Sequence, residues 1–100
     1  MDKITIGKNV LIGWDTCIMD SDMHTILNLE TKEILPKTSQ VTIGDNVWIG
    51  TRCLILKGSN IPNGCIVGAR SVVTKPFSIS NSILAGNPAR VVKTGYTRLK

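Results

Sequence analysis

One hundred residues, 42% hydrophobic but only 4% aromatic, suffice for a single all-β or mixed domain with an aliphatic core, here taken as residues 1–100. No apolar run approaches the roughly 18 residues of a membrane-spanning helix, and the N-terminal Met1-Asp2-Lys3 carries no secretory signal, so a cytoplasmic address is expected. Charge is segregated: residues 1–50 hold four Lys and seven acids (net −3) and residues 51–100 hold eight bases and no acid (net +8), which together give the +5 of the chain.

The predicted elements follow a period of six. Aliphatic residues recur at Ile6, Ile12 and Ile18, several followed by Gly, as in Ile6-Gly7 and Ile12-Gly13. From Ile18 to Ile43 is 25 positions, one more than a multiple of six, so the period is interrupted. Residues 24–42, with Pro36 and the polar run Lys37-Thr38-Ser39-Gln40, read as an excursion loop, and loops of that length are usually functional or disordered. From Ile43 the period resumes and predicts core positions at Ile49, Ile55, Ile61, Val67, Val73, Ile79, Ala85 and Val91, then a tail from Thr94 to Lys100. A second slot, four places after most of these core positions, holds Val10, Thr16, Val47, Cys53, Ser59, Cys65, Ser71 and Ala89, the pattern of small buried side chains.

A period of six fits neither an amphipathic helix nor a simple alternating strand. Each hexad reads as a short strand and a turn. Three hexads per revolution wind a triangular prism in which equivalent residues recur every 18 positions and coils lie about 4.8 Å apart. Successive coils then bury a continuous aliphatic core that no single repeat could bury alone. Cys17, Cys53 and Cys65 are odd in number with no CxxC spacing, so neither a metal site nor a disulfide framework is expected. Cys53 and Cys65 read as fillers of the small-residue slot.

Four segments carry a resemblance. They are Val47-Trp48-Ile49-Gly50, Ile55-Leu56-Lys57-Gly58, Val67-Gly68-Ala69-Arg70-Ser71-Val72-Val73-Thr74-Lys75 and Ala85-Gly86-Asn87-Pro88-Ala89-Arg90-Val91-Val92-Lys93. In this order and spacing they resemble the C-terminal half of the hexapeptide-repeat acyltransferases, near the sugar and polysaccharide O-acetyltransferases. The resemblance implies an all-β, left-handed parallel β-helix, a hand that periodicity cannot supply and that opposes the general rule for crossovers. It also implies a homotrimer with active sites between subunits, and acetyl-CoA as acyl donor. Members of this group carry further coils or helical residues before the catalytic histidine, so the chain reads as a short form or a truncated product.

The chemistry implied by the resemblance rests on His24, the only histidine, in Asp20-Ser21-Asp22-Met23-His24. A hydroxyl is a poor nucleophile at neutral pH, and an imidazole with a pKa of about 6.5 is suited to take its proton as it attacks a thioester. Asp20 and Asp22 are candidates to orient His24 or hold the acceptor, or are ordinary turn carboxylates. Trp48, one place before a core position, should point outward as a cleft wall or a subunit contact. Thr51 and Ala69 match family positions along the pantetheine arm, Thr74 and Lys75 a pair near the adenosine end, and Arg90 and Lys93 two basic positions there. The phosphates of CoA account for the basic half, which lacks the interleaved aromatics expected of nucleic-acid binding. The expected activity is transfer of an acetyl group to a sugar or polysaccharide hydroxyl. An amino-sugar or serine acceptor is the rival within enzymes, and a non-catalytic trimeric β-helix module is the rival outside them.

Overall fold

The computed structural model describes residues 3–99. Met1, Asp2 and Lys100, part of the N-terminal tripeptide and the tail named above, lie outside the described residues. Among the described residues every regular element is a strand, most of them two residues long, as a hexad that must turn a corner requires. The first coil is β1 (Ile4–Ile6), β2 (Leu11–Ile12) and β3 (Cys17–Ile18). The second is β4 (Val41–Ile43), β5 (Trp48–Ile49) and β6 (Leu54–Ile55), and the third is β7 (Asn60–Ile61), β8 (Ile66–Val67) and β9 (Val72–Val73).

Coils stack in parallel register to give three faces. Face A is β1-β4-β7 and face C is β3-β6-β9, while face B is β2-β5-β8 continued by β10 (Ser82–Gly86) and β11 (Ala89–Thr94). Ile6, Ile43 and Ile61 align on face A, Ile12, Ile49 and Val67 on face B, and Ile18, Ile55 and Val73 on face C. Successive side chains of a strand point to opposite faces, so these residues point into the prism. Ile43, Ile49, Ile55, Ile61, Val67 and Val73 are all fully buried. The small-residue slot is buried as expected at Val47, Cys53, Ser59, Cys65 and Ser71, and Cys17 is exposed.

The corners explain the Gly that follows several core positions. A Cβ on Gly50 would lie 2.8 Å from the Ala69 nitrogen, and one on Gly13 would lie 2.6 Å from the Thr51 nitrogen. Stacked coils leave no room there for a side chain. Asn9, Asn46 and Asn81 adopt positive φ at the corner between faces A and B, in line with the tolerance of Asn for that region.

Two expectations need correction. The period of six does not run to Val91; it ends at Val73. Pro76 bridges Asn60 and the Phe77 N–H donates to the Asn60 carbonyl at 2.9 Å, so Phe77 enters the core while Ile79 is 49% exposed. Leu84, not Ala85, pairs with Val67, and Val91 lies opposite Leu84 on the antiparallel strand β11. Among the described residues the outer neighbour of β10 is the antiparallel strand β11 rather than a fifth coil, so no parallel register of 18 is imposed there, and the turn at Asn87-Pro88 closes the end as a hairpin.

The excursion has the expected length but not the expected limits. Partners in the first two coils are 37 residues apart, against 18 between the second and third, so 19 residues are inserted. Val41 and Thr42 already belong to β4. The insertion is an antiparallel arm: Ser21 bridges Thr38, Leu27 bridges Ile34, and the Ser39 N–H donates to the Asp20 carbonyl at its root. At the far end of the chain, Gly95–Arg98 forms a strap along the corner between faces A and B. The Gly95 and Tyr96 N–H groups both donate to the Asn81 carbonyl at 2.8 Å, and Arg98 Nη2 donates to the Asn9 carbonyl at 3.0 Å.

Candidate active site at the root of the arm

The arm leaves the prism after β3, at the corner between faces C and A. Asp20 is buried at its root, and Ser21 Oγ accepts from the Met23 N–H at 3.0 Å, a local turn that holds Met23 at positive φ. His24 follows and is exposed. Among the described residues neither Asp20 nor Asp22 is hydrogen-bonded to it; the Asp22 carboxylate instead pairs with Lys57 Nζ at 2.5 Å. Two hollows flank this segment. One of about 130 Å³ is lined by Ile4, Ile18, Met19, Asp20, Ser21 and Met23, and one of about 240 Å³ by Ser21, Met23, Lys37 and Thr38. A larger hollow of about 570 Å³ lies under the strap, beside Asn9 and Arg98, at the other edge of face A.

The remaining candidates are not gathered around His24. Trp48 points outward on face B, between Leu11 and Ile66, and is 39% exposed. Thr51 and Ala69 share the corner between faces B and C, one coil apart, with the Arg70 N–H donating to the Thr51 carbonyl at 2.8 Å. Thr74 and Lys75 leave β9 at the corner between faces C and A, and Lys75 Nζ stands 5.5 Å from the centre of the Phe77 ring. Arg90 and Lys93 are exposed on β11, opposite Ala85 and Ile83. Lys93 thus extends the row Leu11, Trp48, Ile66, Ile83 across face B, with its Nζ 5.5 Å from the Tyr96 ring. Within one chain, face C separates His24 from the corner that carries Thr51 and Ala69.

Lys57 is the residue that sequence reading missed. Its ammonium reaches Asp22 on the outgoing limb of the arm and the Pro36 carbonyl on the returning limb. Only its place in Ile55-Leu56-Lys57-Gly58, opposite the base of the excursion, was a signal.

Residues 40–75 match the model of the bacterial transferase hexapeptide (six repeats). The chain belongs to the hexapeptide-repeat family of bacterial transferases. It is 36% identical over 90 residues to the galactoside O-acetyltransferase of Escherichia coli K12, which covers 90% of this chain and 43% of that protein. Among solved structures, the polysialic acid O-acetyltransferase OatWY superposes with a TM-score of 0.85 at 38% identity, over 97% of this chain and 46% of that one. A galactoside acetyltransferase in complex with coenzyme A superposes with a TM-score of 0.74 at 29% identity, over 97% of this chain and 53% of that one. The prism is accordingly the left-handed parallel β-helix of the hexapeptide-repeat family. The chain spans about half the length of the curated relatives that it matches.

Proposed function

We propose that this hexapeptide-repeat chain transfers an acetyl group from acetyl-CoA to a hydroxyl of a sugar or polysaccharide. The observation that carries this reading is the setting of the one histidine: exposed, next in sequence to Met23, which lines two hollows, on the arm that interrupts the β-helix, in a chain whose second half is basic and free of acids. His24 Nε2 or Nδ1 takes the acceptor proton as the hydroxyl oxygen attacks the thioester carbon. The tetrahedral intermediate then collapses, the C–S bond breaks, and the proton passes from the imidazolium to the leaving sulfur. No acyl-enzyme is required. Burial withholds Cys53 and Cys65 from such a role, and burial also pushes the Cys65 thiol pKa up, against thiolate formation.

Acetyl-CoA is met by side chains at two corners and on face B. Thr51 and Ala69 offer a narrow ledge for the pantetheine arm, and Lys75, Arg90 and Lys93 supply cations for its phosphates. Trp48 forms a wall. Asp20 is the carboxylate left to meet the acceptor, since Asp22 is engaged by Lys57.

The site is completed by neighbouring copies in a homotrimer. Face A is polar outside, with Thr5, Thr42 and Asn60, whereas face B presents Leu11, Trp48, Ile66 and Ile83, and face C presents Cys17, Leu54 and Val72. Two apolar faces and one polar face suit a three-fold assembly, in which each prism covers two others. The arm adds Met23, Leu29 and Ile34, between 63% and 82% exposed, as further surface for a neighbour. Such an assembly brings His24 of one copy to the ledge of the next. A cytoplasmic location accompanies this reading, and no helix among the described residues is long and apolar enough to cross a membrane.

The test is acetyl-CoA consumption against a panel of sugars, oligosaccharides, amino-sugars and serine. Turnover with hydroxyl acceptors is expected. Turnover confined to amines would redirect the assignment to N-acetylation. Silence across the panel with CoA binding intact would leave a non-catalytic β-helix module.

A further inference from the structure

We propose that Lys57 is a positioning residue for His24, acting by clasping the two limbs of the arm to the second coil. This inference rests on the acetyl-transfer reading for its catalytic consequence, but not for its structural content.

Lys57 lies two residues after β6 and so belongs to the β-helix, whose core around it is fully buried at Ile55 and Ser59. Its ammonium meets the Asp22 carboxylate at 2.5 Å and donates to the Pro36 carbonyl. Asp22 is two residues before His24, and Pro36 lies on the limb that returns to the prism. The limbs are otherwise joined there by the Asp22 N–H to the Lys37 carbonyl at 2.9 Å and the Leu35 N–H to the Ile26 carbonyl at 3.0 Å. Beyond its root the arm has no buried residue: positions 23–37 are all exposed. An arm without a core of its own keeps a fixed conformation only where something rigid holds it. Lys57 is that attachment among the described residues, because its partners are the two limbs themselves rather than one of them.

The side chains of Lys57 and Asp22 are 25% and 27% exposed, so the pair is shielded from water far more than a surface ion pair. An isolated exposed pair would contribute little. Here the pair has a second function. It sets where the peptide enters the turn at Met23, and hence where the imidazole of His24 stands relative to the hollow lined by Ser21, Met23, Lys37 and Thr38. General-base catalysis is sensitive to that placement, since a shift of about 1 Å in the reacting geometry costs on the order of 100-fold in rate.

The test uses the fact that His24 is the only histidine in the sequence. In untagged protein, the imidazole carbon-bound protons therefore give one set of histidine NMR signals. Lys57→Met is expected to shift and broaden those signals and to raise hydrogen exchange at the Asp22 and Leu35 amides by at least about 10-fold. Exchange at Gly50 and Gly68, inside the β-helix, should stay as in the wild type. In turnover assays the variant should lose about 100-fold in kcat with KM for acetyl-CoA unchanged within about twofold, and Lys57→Arg should recover part of the loss. Asp22→Asn, which keeps an acceptor for Lys57 but not the charge, should fall between.

Unchanged His24 signals and unchanged arm exchange in Lys57→Met would overturn the proposal, whatever the activity. A wild type that turns over no acceptor, combined with His24 signals that move in Lys57→Met, would uphold the clasp and reject the acetyl-transfer reading. A kcat that falls while the arm amides and His24 signals remain as in the wild type would show Lys57 acting directly on substrate, and so would reject the positioning role.

Discussion

Ile6 and Ile61 flank Ile43 on its two sides in face A, yet Ile61 is fully buried and Ile6 is 45% exposed. The pair shows how stability is distributed along the prism. A side chain in the third coil is covered by coils on both sides, whereas one in the first coil has, among the described residues, a neighbouring coil on one side. Ile61→Ala should therefore leave a cavity and cost roughly 2–5 kcal/mol. Ile6→Ala leaves no closed cavity and should cost about 1 kcal/mol, the burial of half a side chain. Urea denaturation of the two variants checks the order; equal losses would mean that the first coil is covered in solution.

His24→Ala should lower turnover by at least ~100-fold, the lower end of general-base effects, with CoA affinity retained. Steady-state kinetics and calorimetric titration with CoA make the comparison. Turnover near the wild-type rate would remove His24 from the mechanism.

The proposed acetyl transfer assigns Lys75 and Arg90 to the anionic end of the donor. The double variant Lys75→Ala, Arg90→Ala should weaken CoA much more than dephospho-CoA, because each lost charge-assisted bond to a phosphate matters only when the phosphate is present. Competition binding of the two nucleotides reads this directly. Equal weakening would place these side chains away from the 3′-phosphate.

Cys65 gives a pH dependence with a definite sign. Burial raises its thiol pKa in the folded state, offset in part by backbone hydrogen bonds from Ser82 and Asn81. Below the ordinary thiol pKa both states carry the proton and the contribution to stability is complete. As pH rises past that value the unfolded thiol ionises first, so the unfolded state gains and stability declines until the folded thiol also ionises. Cys65→Ala should flatten the decline in urea midpoint between about pH 8 and pH 10. A midpoint with the same pH slope in both proteins would contradict this.

The regular part of the fold was legible because stacking enforces it. Where coils lie on both sides, as from Ile43 to Val73, one inward position per hexad is aliphatic, a second is small, and several corners take Gly, so a period of six is written into the residues. In the fourth coil the outer neighbour of β10 is the antiparallel strand β11 rather than another hexad, and there Phe77 and Leu84 depart from the spacing that Ile79 and Ala85 suggested. The turn signal Gly86-Asn87-Pro88 was present between two apolar runs, the mark of a hairpin, but the stronger period masked it. The place of His24 on the interrupting arm was legible through the break in the repeat. Its attachment was not, because Lys57 and Asp22 lie 35 residues apart and meet only after the second coil has closed.

In a stack whose units touch only their neighbours, the end units ordinarily open first and independently of one another. The strap at Gly95–Arg98 changes that arithmetic, since it leaves the last coil at Asn81 and ends on the first at Asn9. Fraying at one end of the prism must then release a tether anchored at the other. The opening of the first coil and that of the last are thereby coupled, by roughly the 1 kcal/mol that one hydrogen bond contributes.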